Sequence, residues 1–402
     1  MNKIEKLIEE LCPDGVAFRE FRTIAKFQGG HPFDSAKFND LGIGLPVIRI
    51  GDVNSGPGGK FYDGDFPKEV LISDGDLLIS MSGDFKILEW SYGPGLLNQR
   101  VCKLDFKTPD VLKRFVYHYL EEPLQRVHDA TSMSVLKNLS NAVLGDLKVP
   151  VPPLEVQQEI VSILDKFTEL EKELEKELEA RKRQFNYFVD ELTSAGTASR
   201  SGGLTCLFGD LGEFVRGSGL QKSDLSDEGA PALHYGQIFT YYKTKIYSAK
   251  SMVTPRLAAS IRQAEYGDVI IATTSENIED VCKSVVWLGE GNLAVGGETF
   301  IFKHELDPLY ATYLFRSSDF QYQKLSHISG TKVKRVSGKS LEKMTVSVPD
   351  RETQVQIGSF LSQLEDLLGD VHEGLPAEIQ ARRKQYEYYR NKLLTFKELD
   401  AA

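Results

Sequence analysis

From Leu154 to Leu192 apolar residues recur at Ile160, Leu164, Phe167, Leu170, Leu174, Leu178, Phe185, Phe188 and Leu192, mostly with Glu and Lys between them. Steps of three and four belong to a helix with one buried seam. No Gly or Pro interrupts the run. The spacing predicts a helix ~60 Å long, at 1.5 Å per residue. That is too long for the interior of a small domain, and so narrow a seam needs a partner helix. A second segment with the same pattern lies near the C-terminus. Val151-Pro152 matches Val348-Pro349, Glu155 matches Glu352, Gln157 matches Gln354, Ile160 matches Ile357 and Leu164 matches Leu361, all 197 residues apart. Ala180 to Phe185 then matches Ala381 to Tyr386, 201 apart, so the second copy carries four extra residues near Gly374 and Pro376. Pro376 is expected to kink or break that helix. Ile160, Leu164, Phe167, Leu174 and Leu178 are expected to meet Ile357, Leu361, Leu364, Leu368 and Val371 or their neighbours.

The intervening segments repeat as well, which decides the architecture. A short amphipathic helix (Ile4, Leu7, Ile8 and Leu11) ends at Pro13-Asp14-Gly15. The strands expected next are LPVIRI (Leu45 to Ile50), GDLLIS (Gly75 to Ser80) and VCKLDF (Val101 to Phe106), with a glycine-rich excursion at Ser55 to Gly59. A helix is expected from about Pro109 to Gln125. After a polar linker, GTASRSGG, the order recurs as FVRGSGL, PALHYGQIF, YGDVIIATTSEN, PLYATYLFRS and ISGTKVKRVSGKSLEKMTVSVP. The fold class expected is α+β, with two similar mixed domains separated by two long helices in a pseudo-twofold internal repeat. The boundaries are 1–150 and 196–349 for the domains, and 151–195 and 350–397 for the helical spacers.

Composition narrows the chemistry. The chain is 41% hydrophobic and 26% charged, ordinary for a globular protein. The N-terminus does not read as a signal peptide, and no run is apolar enough to span a membrane. Cys12, Cys102, Cys206 and Cys282 stand far apart, which disfavours a thiolate zinc site and fits a reducing cytoplasm. The seven histidines lack metal-ligand spacing, so no metal is expected. There is no phosphate-binding GxxxxGKS/T stretch and no catalytic constellation. The DxK triplets at Asp84 and Asp146 are too common to count as nuclease sites. A net charge of −10 argues against a simple DNA-coating protein, though DNA binding depends on the charge of one face.

The whole chain resembles the specificity subunits of type I restriction-modification systems. The resemblance rests on GDLLIS and GDVIIA, on VPVPPLEVQQEI and VSVPDRETQVQI, and on ARKRQFNYF and ARRKQYEYY, each occurring in order. It implies a non-catalytic subunit whose two target-recognition domains read the halves of a split, asymmetric DNA site. It also implies antiparallel spacer helices that set the gap and dock two methyltransferase subunits, with two restriction subunits joining. S-adenosylmethionine, ATP and Mg2+ would belong to those partners, with no cofactor on this chain. The alternative is a non-enzymatic protein–protein adaptor built on the long helices.

Base reading needs Arg, Lys, Asn or Gln at groove edges, and phosphate contact needs cations and small polar groups. The DNA-binding candidates in the first domain are Arg49, Lys60, Lys86, Arg100, Lys137 and Asn138. In the second they are His234, Tyr235, Gln237, Lys243, Lys245, Lys332, Lys334 and Arg335. GTKVKR is the most concentrated basic loop, opening on a permissive Gly330. Phe185, Tyr187, Phe188, Tyr386, Tyr388 and Tyr389 crowd the helix ends as candidates for partner docking, because aromatic residues are enriched at interfaces. They could equally bury against the chain's own domains.

Overall fold

The computed structural model describes residues 3–130 and 138–399. They fall into two compact units, one of Met1–Glu173 with Glu378–Ala402 and one of Leu174–Ala377. Both long helices form, over Leu154–Thr193 and Arg351–Leu394. The first has 40 residues and the second 44, a difference of four. Pro376 does not break the second helix, contrary to the expectation from its sequence. Four residues are close to one turn of 3.6, so the insertion nearly keeps the phase of the apolar face. Leu368, Leu375 and Ile379 stay buried on either side of Pro376.

The seam forms, but with different partners. In the first unit Ile160 and Leu164 are buried with Ile4, Phe115, Tyr386 and Leu393, and Phe167 stacks on Tyr389 at 5.4 Å between centroids. In the second unit Ile357, Leu361 and Leu368 are buried with Phe185 and Val189. The start of each long helix thus packs beside the end of the other. That is the consequence of antiparallel packing, and it separates Ile160 and Leu164 from the residues their own repeat aligns with. Leu174 and Leu178 are half-buried, and the side chain of Val371 lies outside the described residues.

Each unit places a helix-covered antiparallel sheet next to a smaller sheet. In the first unit the order is Ala25–Gly29, Val101–Phe106, Leu77–Ser80 and Ile87–Glu89. Val116, Leu120 and Leu124 of the helix Lys113–Ala130 bury against it. The smaller sheet centres on Leu45–Ile48, parallel to Gly95–Leu97. In the second unit the corresponding order is Gly212–Arg216, Thr299–His304, Val269–Ala272 and Ser284–Trp287, extended by Lys245–Ile246. Ala230–Leu233 runs parallel to Leu293–Val295. Continuous apolar runs such as LLIS and VIIA are buried on both faces, which is why they do not alternate.

A buried glutamine joins spacer to domain in each unit. The Gln157 amide donates to the carbonyls of Pro152 and Asp110, both at 2.8 Å, and its oxygen accepts from the Leu112 N–H at 2.9 Å. Gln354 donates to the Pro349 carbonyl at 2.9 Å and accepts from the Asp307 N–H at 3.0 Å.

Three sequence expectations change. The strand at Leu45 stops at Ile48, and Ile50–Ser55 is a short helix, because the buried Asp52 carboxylate captures the Arg49 N–H at 2.7 Å and also accepts from Gly58. The segment read as a polar linker contains the helix Ala195–Arg200, capped by Ser194, whose hydroxyl accepts from the Thr197 N–H. The repeated helix at Pro308 is two, Pro308–Leu314 and Ser318–Leu325.

Candidate nucleic-acid interface

The two core sheets each end in a turn, and the turn gathers the strongest candidates. In the first unit the Met81 N–H donates to the Arg100 carbonyl and its own carbonyl accepts from Leu139, both at 2.9 Å. The Ser82 hydroxyl donates to the Asn138 side chain at 2.8 Å. Arg100 and Asn138 are thereby brought together, and both are exposed. Lys86, also exposed, closes the same turn. Lys137 lies outside the described residues. In the second unit Thr273 plays the part of Met81. Its N–H donates to the Glu298 carbonyl and its carbonyl accepts from Val336.

The segment read as a basic loop is partly a strand. Lys334–Arg335 pairs antiparallel with Thr274–Ser275. Gly330, at φ +88°, makes the approach possible, since a Cβ there would lie 2.1 Å from the Val333 carbonyl oxygen. Lys332 and Arg335 are exposed, and the Lys334 ammonium caps the Thr331 carbonyl at 3.0 Å. Glu298 stands where the first unit has Arg100, so the two turns differ in charge as well as in length.

A second group lies on the smaller sheets. Arg49 and His234 both occupy the residue after the inner strand, at the start of a short helix. Arg49 keeps an exposed guanidinium 3.7 Å from Asp52, and Lys60 pairs with Asp40 at 2.6 Å. The Lys60 pair is solvent-exposed and worth about 1 kcal/mol or less, so phosphate can compete for that cation. His234 accepts from the Gly236 N–H through Nδ1 at 3.2 Å, and burial together with Lys222 lowers its pKa below the usual histidine value. Gln237 is committed internally, donating to the Ser251 hydroxyl at 2.7 Å and accepting from the His234 N–H. Tyr235 is half-buried against the His234 ring.

Other candidates are placed elsewhere. Lys245 is spent inside the second unit, its ammonium 2.5 Å from Asp366 and 2.8 Å from the Ser362 hydroxyl. It ties the sheet to the long helix. Lys243 is exposed and lines a cleft with Glu365. Of the six helix-end aromatics, Phe185 is buried against Tyr313. Tyr386 is buried with its hydroxyl 2.8 Å from His118 Nδ1 and 3.0 Å from Glu121. Burial within each unit engages these two side chains. Phe188 packs on Phe360 and Tyr389 on Phe167. Tyr187 and Tyr388 remain exposed.

What sequence reading missed is the turn itself. Leu77 and Val269 are 192 residues apart, Lys86 and Lys283 are 197 apart, and so the second turn has five more residues. That change of offset was the available signal. Among the described residues no cluster of His, Cys, Asp and Glu is placed to hold a metal, and no helix is long and apolar enough to cross a membrane.

The type I restriction modification DNA specificity domain matches this chain twice, at residues 13–180 and 209–381. The chain is similar to the specificity subunit of the Escherichia coli type I restriction enzyme EcoBI, 38% identical over 143 residues, which are 36% of this chain and 30% of that protein. A putative type I specificity subunit of Haemophilus influenzae is 25% identical over 368 residues, 88% of each chain. The fold is similar to that of a type I restriction-modification S subunit from M. genitalium, with a TM-score of 0.52 at 14% identity, covering 94% of this chain and 96% of that one. With two copies of the domain over most of its length, the chain belongs to the family of type I restriction-modification specificity subunits.

Proposed function

We propose that this chain is the non-catalytic, sequence-reading subunit of a type I restriction-modification complex. Residues 1–150 and 196–349 each read one half of a split DNA site, and residues 151–195 and 350–397 are the spacers that set the gap. Tyr187 and Tyr388 belong to the surfaces that receive two methyltransferase subunits, with two restriction subunits joining them. Those partners bring S-adenosylmethionine, ATP and Mg2+, and the complex works in the cytoplasm.

The observation that carries this reading is the repeated turn. One scaffold presents Arg100 and Asn138 in the first unit and Lys334 and Arg335 in the second, on turns of different length and charge. A shared frame with divergent loops is how two unlike half-sites are read. The test is selection of duplexes from a random library by the chain assembled with its partners. Enrichment of one split, asymmetric sequence supports the reading, and enrichment of an uninterrupted palindrome or of nothing refutes it.

A further inference from the structure

The two recognition turns are held by different means. In the first unit the buried Ser80 hydroxyl donates to the Asp84 carbonyl at 2.5 Å and accepts from the Lys86 N–H at 2.8 Å, closing a short turn from within. Ala272 stands at the matching position of the second unit, by strand register, and has no hydroxyl to offer. There the longer turn is held from beneath. Lys324, 1% exposed, points its ammonium at the carbonyls of Val281 (2.9 Å) and Glu279 (3.2 Å) and at the Gln321 side-chain oxygen (2.5 Å). Three acceptors match the three N–H donors of an ammonium, which keeps the charge in place although burial lowers the Lys324 pKa. The next residue, Cys282, sits at φ +70° and is the one non-glycine residue with positive φ among those described. A conformation so seldom populated persists only where its surroundings over-determine it. At the tip the exposed Asn277 and the half-buried Asp280 exchange two hydrogen bonds, at 2.8 and 2.7 Å. The first unit has Val127 at the position 197 residues before Lys324, the separation kept by the helix caps Ser140 and Ser337.

We propose that Lys324 is a positioning residue for base recognition by the second unit, fixing through its ammonium the shape in which residues 275–283 meet DNA beside Lys334 and Arg335. The inference rests on the DNA-reading function above and adds to it a determinant that only one of the two half-sites feels. Neutralising Lys324 releases two turn carbonyls, and the loop loses the single shape that a base contact requires.

The experiment uses the chain assembled with its methyltransferase partners, on duplexes carrying the complex's own split site with each base varied in turn. Lys324→Met is expected to reduce discrimination between cognate and mismatched bases about tenfold in one half-site, the scale of one misplaced base contact, and to leave the other half-site unchanged. Asn277→Ala, at an exposed position that does not endanger folding, is expected to relax the same half-site. Lower overall methylation with both preferences intact would overturn the inference, because a purely structural lysine gives that result. If Lys324→Met does not fold, Asn277→Ala decides alone, and unchanged preference overturns the inference. A wild-type complex with no split-site preference would instead overturn the DNA-reading function, and this inference with it.

Discussion

Gln157 and Gln354 are buried, and each holds backbone groups of a spacer and its domain. Gln157→Leu leaves a buried N–H and two carbonyls unpaired, which costs about 1–3 kcal/mol per group at most. Denaturant unfolding should show a lower midpoint for this variant. Histidines add a pH dependence. Burial brings His118 down to about 4, against the raising effect of its bond to Asp165, and brings His304 down to about 4 as well. Unfolded, both return to about 6.5. Between those values the unfolded chain binds more protons, so the stability is fully present above pH 6.5 and is lost as pH falls toward 4. The loss is at most about 1.4 kcal/mol per pH unit for each histidine. Thermal melts from pH 7 to pH 5 should show this decline, and His304→Phe should make it shallower. The basic strand and loop make a separate prediction. Replacing Lys332, Lys334 and Arg335 by Ala should flatten the plot of log affinity for DNA against log salt, by about 1 unit of slope per lost phosphate contact. An unchanged slope would remove these residues from the interface.

The long helices were legible at the level of the element, because thirty-odd residues of unbroken 3.6-residue period leave little choice. Their pairing was not. Residues aligned by a repeat are not residues in contact, and in an antiparallel pair Ile160 finds Tyr386 and Leu393. The core strands were also legible, since LLIS and VIIA are apolar throughout. Side-chain capture was not: Asp52 ends a strand early, and Lys245 turns inward to Asp366, through contacts that link residues far apart in sequence. The helix-end aromatics show the same limit. Period alone cannot separate Tyr386, which reaches His118, from Tyr388, which stays in solvent. Tyr187→Ala and Tyr388→Ala should change the unfolding free energy by about 0.5 kcal/mol or less, as exposed positions do, and weaken co-purification with the methyltransferase subunit. The chain already tolerates four extra residues in one spacer. Four more inserted between residues 170 and 180 should therefore keep the helix and lengthen the gap in the recognised sequence. An unchanged gap would separate spacer length from site spacing.

For the molecule as a whole, duplication supplies two similar units and divergence of their turns makes them unlike. The net charge of −10 is compatible with DNA binding because binding depends on the charge of one face, and Lys332, Lys334 and Arg335 form a local basic cluster while many carboxylates lie on the long helices. The most direct test is a map of methylated adenines across the host genome with and without this gene. Loss of methylation at one split, asymmetric sequence is the expected result, and it would define both half-sites and the gap at once. An unchanged map, in a host that expresses the chain together with its partners, would contradict the sequence-reading role.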